Sequence, residues 1–174
     1  MEETVPTGSE GAPVPGAVAG LGITAVVIVL LVAWTLLTTI VFRVAATELV
    51  GGYMLLWYWA NNEQLQFRRL PATIIGALVG IAIAWFLVYG TVTYDGAGTA
   101  IGLGILVLAL YLDVIKAVPL AINPSTFLFV TLAAAPLVQL HVDWIKLIIS
   151  TISGGVFFGL VVEGLNRLMA RGAK

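Results

Sequence analysis

Between Ala17 and Phe42 the chain runs for 26 residues without one charged side chain. At about 1.5 Å of rise per residue, a helix of that length crosses a hydrocarbon core of roughly 30 Å with some tilt. A run this long and apolar has two sinks, the centre of a large soluble protein or a bilayer. The rest of the sequence decides between them. Of 174 residues, 60% are hydrophobic and 10% charged, against about 25% charged in an ordinary soluble domain. The mean hydropathy is +1.08. A soluble globular fold and a sizeable catalytic domain outside the bilayer are both excluded on these numbers.

Charges partition the remainder into further spans. Arg43 closes the first, and Val44 to Ala60 forms a shorter one carrying Glu48, followed by the polar loop Asn61 to Arg69. Leu70 to Gly90 is a third, closed by Thr91 to Gly98. Ala97 to Leu112 is a fourth, ending at Asp113 and Lys116. Ala117 to Val138 is interrupted by Pro119, Asn123-Pro124 and Pro136, and proline pushes the residue before it away from helix, so a discontinuous span is expected with its break at Asn123. Trp144 to about Leu165 is the last. The expected architecture is an all-α integral membrane protein of about six transmembrane helices. Five helices plus a re-entrant segment is the alternative.

The divisions follow. Residues 1–16, with Glu2, Glu3, Glu10 and three prolines, are expected to be a disordered acidic tail. The apolar run after them is too long for a signal-peptide h-region, so its retention is expected. Residues 17–165 are the polytopic membrane domain and residues 166–174 a basic cytoplasmic tail. Six crossings place Arg68, Arg69, Lys116, Arg167, Arg171 and Lys174 on the side of the termini and Arg43 and Lys146 opposite. The positive-inside rule then puts both termini in the cytoplasm.

Sliding the chain on itself by 74 residues aligns Ile74-Ile75 with Ile148-Ile149, Gly80 with Gly154 and Gly90 with Gly164. The same offset sets Val50-Gly51-Gly52 opposite Pro124-Ser125-Thr126 and Tyr53 opposite Phe127. Three spans per half is an odd number, so the halves would insert upside down, the 3+3 inverted-repeat plan with broken helices that transporters and channels use. Chance matching of common membrane residues is the competing explanation.

Asn123, Ser125, Thr126 and Phe127 place an amide and two hydroxyls at an unwound turn inside apolar sequence, where lipid leaves them to bond protein or line a wet cavity. Either a half-helix coordinates a small polar solute there or a kinked helix satisfies the groups itself. Glu48 reads as a pore-mouth carboxylate or an interfacial acid facing Arg43, and Glu163 as the i, i+4 partner of Arg167. Gly76/Gly80 and Gly155/Gly159 put two glycines on one helix face and are expected at close helix contacts. Asp113 and Lys116 stand three apart and can pair, and His141 is a solvent-exposed loop residue.

With no cysteine, one histidine and no nucleophile beside a base, no catalytic residue, metal site or cofactor is expected. Eight Lys+Arg against nine Asp+Glu give no basic cluster fit for a phosphate backbone, so nucleic acid is not an expected partner. The expected partners are the lipid bilayer, further copies of the chain and a small polar solute. The expected function is a homo-oligomeric channel or facilitator for that solute, its path passing Gly51, Gly52 and Asn123 to Thr126, with Trp57 and Phe127 as constrictions. The alternative is a non-transporting structural or assembly subunit.

Pro-Ser-Thr-Phe with the alanine-rich stretch to Ala135, then Asp143-Trp144-Ile145-Lys146-Leu147, then the Gly155 to Gly159 run resembles the bacterial inner-membrane family labelled domain of unknown function 1097. Ala84 to Gly90 is similar to its third span, and the likeness covers roughly residues 45 to 163. The resemblance implies a multi-pass inner-membrane protein and brings no catalytic residues.

Overall fold

The structure, a computed structural model, describes residues 16–135, 138 and 142–172. The acidic tail up to Val14 and Pro15, His141 and Lys174 lie outside the described residues. The described chain is helical, with α1 (Ala17–Phe42), α2 (Ala46–Asn62), α3 (Leu70–Val114), α4 (Pro124–Ala133) and α5 (Trp144–Gly172), plus a 3-10 turn at Phe67–Arg69. Three helical stretches are long and apolar enough to cross a membrane: Gly20–Phe42, Phe67–Val114 and Trp144–Arg171.

The longest of these is bent back on itself. Tyr94 (φ −126°, ψ 15°) and Asp95 (φ 48°, ψ −129°) leave helical geometry, and the arms 70–93 and 96–114 pack side by side. A Cβ at Gly98 would overlap the carbonyl of Gly90, and one at Gly102 would press on Leu87. The turn between the arms is shorter than the Thr91 to Gly98 segment expected. Thr91, which read as loop, turns its hydroxyl back to the Leu87 carbonyl (2.8 Å) and continues the helix instead, as Thr99 does toward Asp95 (3.0 Å) on the second arm.

Neighbour contacts fix the directions. Glu48 meets Asp143, Gly52 meets Ser150 and Gly154, and Leu55 meets Gly155, so α2 and α5 run parallel. Thr73 meets Ser125 and Gly80 meets Thr126, so the first arm of α3 and α4 also run parallel. Leu70 meets Gly159 and Ile74 meets Gly155, which makes the first arm of α3 antiparallel to α5. These four segments form the centre, and α1 leans on it mainly through Trp34, whose ring covers Gly52 and packs on Tyr53 and Phe158. The second arm of α3 lies on the other flank, where Ala109 joins Ile83 and Val130.

Two expectations are corrected here. Gly51 and Gly52 do not break a helix. They lie inside continuous α2, because a glycine face lets α5 approach until Gly154 touches the Gly52 backbone. α5 also continues through the segment expected as a separate tail, stitched by the Glu163–Arg167 pair at 2.7 Å. One end of the bundle carries Arg68, Arg69, Lys116, Arg167 and Arg171, the other Arg43 and Lys146.

Candidate functional site

Buried polar side chains among the described residues are Thr38, Glu48, Thr73, Ser125, Thr126, Ser150 and Thr151. All but Thr38 belong to the four central segments, and Thr38 lies on α1 one turn beyond Trp34. They run from one end of the bundle to the other, and each is placed by a local rule. Asp143 caps α5, its Oδ1 accepting the amides of Ile145 (3.1 Å) and Lys146 (3.2 Å). The Asp143 amide is thereby aimed across the seam, where it donates to Glu48 Oε1 at 3.1 Å.

Glu48 is 3% exposed. Its Oε2 has no hydrogen-bond partner, nor have Thr38 Oγ1 and Trp34 Nε1. Of the two readings of Glu48, the one that sets it facing Arg43 is not met. Arg43 ends α1 in a left-handed conformation and points outward, and no described cation pairs with Glu48. The three atoms lie on α1 and α2, which are joined by residues 43–45 and meet where Trp34 covers Gly52. Buried polar atoms are almost always paired, so these three are exceptions among the described residues.

Deeper along the seam, Ser150 Oγ accepts the Gly52 amide at 3.3 Å and Thr151 turns to the Leu147 carbonyl at 2.8 Å, pressing on Gly51. Toward the basic end the ladder continues through Thr73 to Ser125, whose hydroxyl donates to the Thr73 carbonyl at 2.9 Å.

The break at Asn123 is real and fully satisfied. Asn123 caps α4, its Oδ1 accepting the Ser125 amide at 3.0 Å, while Thr126 Oγ1 accepts the Asn123 amide at 3.2 Å. Asn123 Nδ2 donates to the Ala72 carbonyl at 3.0 Å, and Thr126 Oγ1 donates to that of Ala121 at 3.1 Å. Gly76 makes this possible, since any Cβ there would collide with the Asn123 amide. The break lies one turn into α3, beside a polar crevice of about 200 Å³ lined by Glu63, Arg69, Asp113, Lys116, Asn123 and Pro124. Two ion pairs close over it, Asp113–Lys116 at 2.9 Å and Glu63–Arg69 at 3.8 Å.

Of the other residues singled out in the sequence, Trp57 points away from the centre, 53% exposed, and so lines no constriction inside the chain. Phe127 packs in the apolar cluster of Ile83, Ala109 and Val130. Gly80, Gly155 and Gly159 sit where a Cβ would meet Thr126, Ile74 and Leu70. Sequence reasoning missed Thr73, Ser150, Thr151 and Asp143. The readable signal was a pair of adjacent hydroxyls inside an apolar span. No group of three His, Asp or Glu able to hold a metal occurs among the described residues.

Comparison with known proteins finds no matching family model, and neither a curated protein nor a solved structure matches the chain. Fold and composition define the class, an all-helical protein with helices long and apolar enough to span a membrane.

Proposed function

We propose that the chain is a homo-oligomeric facilitator for a small polar solute, built from six crossings in two inverted halves, with both termini in the cytoplasm of a bacterial cell. The observation that carries it is the exchange of contacts at an offset of 74 residues. Gly52 on Gly154 becomes Thr126 on Gly80, and Gly51 at the Leu147 carbonyl becomes Ser125 at the Thr73 carbonyl. Thr35 on Tyr53 becomes Ala109 beside Phe127. Gly159 on Leu70 becomes Trp85 and Trp144 lining one cavity. Chance repetition of glycines does not exchange contacts in pairs; an inverted repeat does. Such repeats gather their polar groups at the interface of the halves, and the ladder from Glu48 through Ser150 and Thr151 to Thr73 and Ser125 lies there. The clustering of basic residues at one end supports the orientation. The likeness to domain of unknown function 1097 is part of the same proposal and rests on its short motifs alone.

The test is flux of urea, glycerol, ammonia, formate and halides into proteoliposomes against empty liposomes. Thr151→Val removes one hydroxyl at nearly constant volume and is expected to lower flux about tenfold, the equivalent of one hydrogen bond. A specific observation favours the second reading, an assembly subunit: the groups at Asn123, Ser125 and Thr126 are bonded inside the chain. A protein that passes none of these solutes while keeping its oligomer supports that reading instead.

A further inference from the structure

At the basic end of the bundle, one short stretch of chain walls two cavities of opposite character. On one side of the Phe67–Arg69 turn lies a polar crevice of about 430 Å³ lined by Gln66, Arg68, Arg69, Ala72, Pro119 and Leu120. On the other lies an apolar groove of about 400 Å³ between α3 and α5, lined chiefly by Phe67, Leu70, Pro71, Ile74, Val156 and Leu160. Gly159 keeps the groove open, since a Cβ there would press on Leu70.

Phe67, Val156 and Leu160 are exposed, so in a membrane the groove faces acyl chains. The charges of the crevice are only partly spent elsewhere. Arg68 has no acidic partner among the described residues, and Arg69 holds Glu63 only loosely, at 3.8 Å. Arginine favours phosphate, to which it can give two parallel hydrogen bonds, and basic pockets at helix ends hold anionic headgroups.

We infer that this turn is a binding site for an anionic phospholipid, its headgroup phosphate in the Arg68–Arg69 crevice and one acyl chain along the Phe67–Leu160 groove. The inference is independent of whether the chain transports anything. Charge complementarity selects the head, and the adjoining groove selects a lipid over a free anion.

Thermal unfolding of the purified protein in neutral detergent tests it, with phosphatidylglycerol, phosphatidylcholine or glycerol phosphate added. Phosphatidylglycerol is expected to raise Tm about 4 °C more than phosphatidylcholine does, and glycerol phosphate to leave Tm unchanged. Arg68→Gln should remove most of the difference and Arg68→Lys retain part of it. Val156→Trp, which fills the groove from its exposed side, should reduce the shift with the arginines intact; Ile75→Trp, on the opposite wall of the same groove, serves the same purpose if that variant does not fold. Arg43→Gln, at the opposite end, should leave the shift whole. Equal shifts with the two lipids, or loss of the difference in Arg43→Gln as fully as in Arg68→Gln, would overturn the site. A full shift with glycerol phosphate would overturn the lipid as its occupant.

Discussion

Gly80 faces the carbonyl of Thr126 so closely that a single methyl has nowhere to go, and the obstacle is backbone, not a side chain that could turn aside. Gly80→Ala is therefore expected to cost about 1 to 3 kcal/mol, read as a fall in unfolding temperature in detergent. Asp95 presents the opposite case. It holds φ 48° and ψ −129° at the tip of α3, a conformation that disfavours any residue with a Cβ. Asp95→Gly is expected to stabilise by about 1 kcal/mol after the added chain entropy of glycine is subtracted. Glu48 is held by one bond, from the Asp143 amide. Glu48→Leu removes the acceptor of that N–H and should cost about 1 kcal/mol, whereas Glu48→Gln keeps an acceptor there and should cost less. Equal losses for the two variants would show that the bond is not what holds Glu48.

At the scale of elements, α4 depends on its first residues more than on its length. Ten residues form a marginal helix, and the reciprocal bonds of Asn123 and Thr126 compensate for the missing turns. Asn123→Ala is expected to destabilise by about 2 kcal/mol through loss of the cap and of the bond to the Ala72 carbonyl. The position of this break was legible in the sequence because Asn-Pro constrains the backbone directly. Its role was less so: the residues that satisfy it, Ala72 and Thr73, are about 50 positions away, and no local pattern announces them. Gly51-Gly52 misled for a related reason. Glycine pairs read alike whether they unwind a helix or let a neighbour approach, and the deciding residues, Ser150 and Gly154, lie on another helix. Conversely, apolar runs and charges mark α1, α2 and the start of α5 closely, whereas the expected span Ala117 to Val138 contributes only the ten-residue α4. The tight turn at Tyr94-Asp95 was blurred into a longer loop by polar residues such as Thr91, which bonds back into its own helix.

For the whole molecule, the hairpin of α3 places Gly96 at the opposite end from Arg167 and Arg171. Single cysteines at Gly96 and Arg171 are expected to label from opposite sides of sealed vesicles, and labelling from the same side would remove the proposed crossing pattern. The centre is covered differently on its two flanks. On one, α1 bears on it through the indole of Trp34, while on the other the second arm of α3 bears on it through the much smaller Ala109. Separating α2 from α5 means pulling apart backbones in direct contact along the Gly52–Gly154 crossing. α1 is held less extensively, through Trp34, Leu30, Leu31 and the Thr35–Tyr53 hydrogen bond, and only 11% of its apolar window is buried. Detaching α1 would therefore uncover the Gly52 face, which the Trp34 ring covers, while leaving the α2–α5 crossing intact.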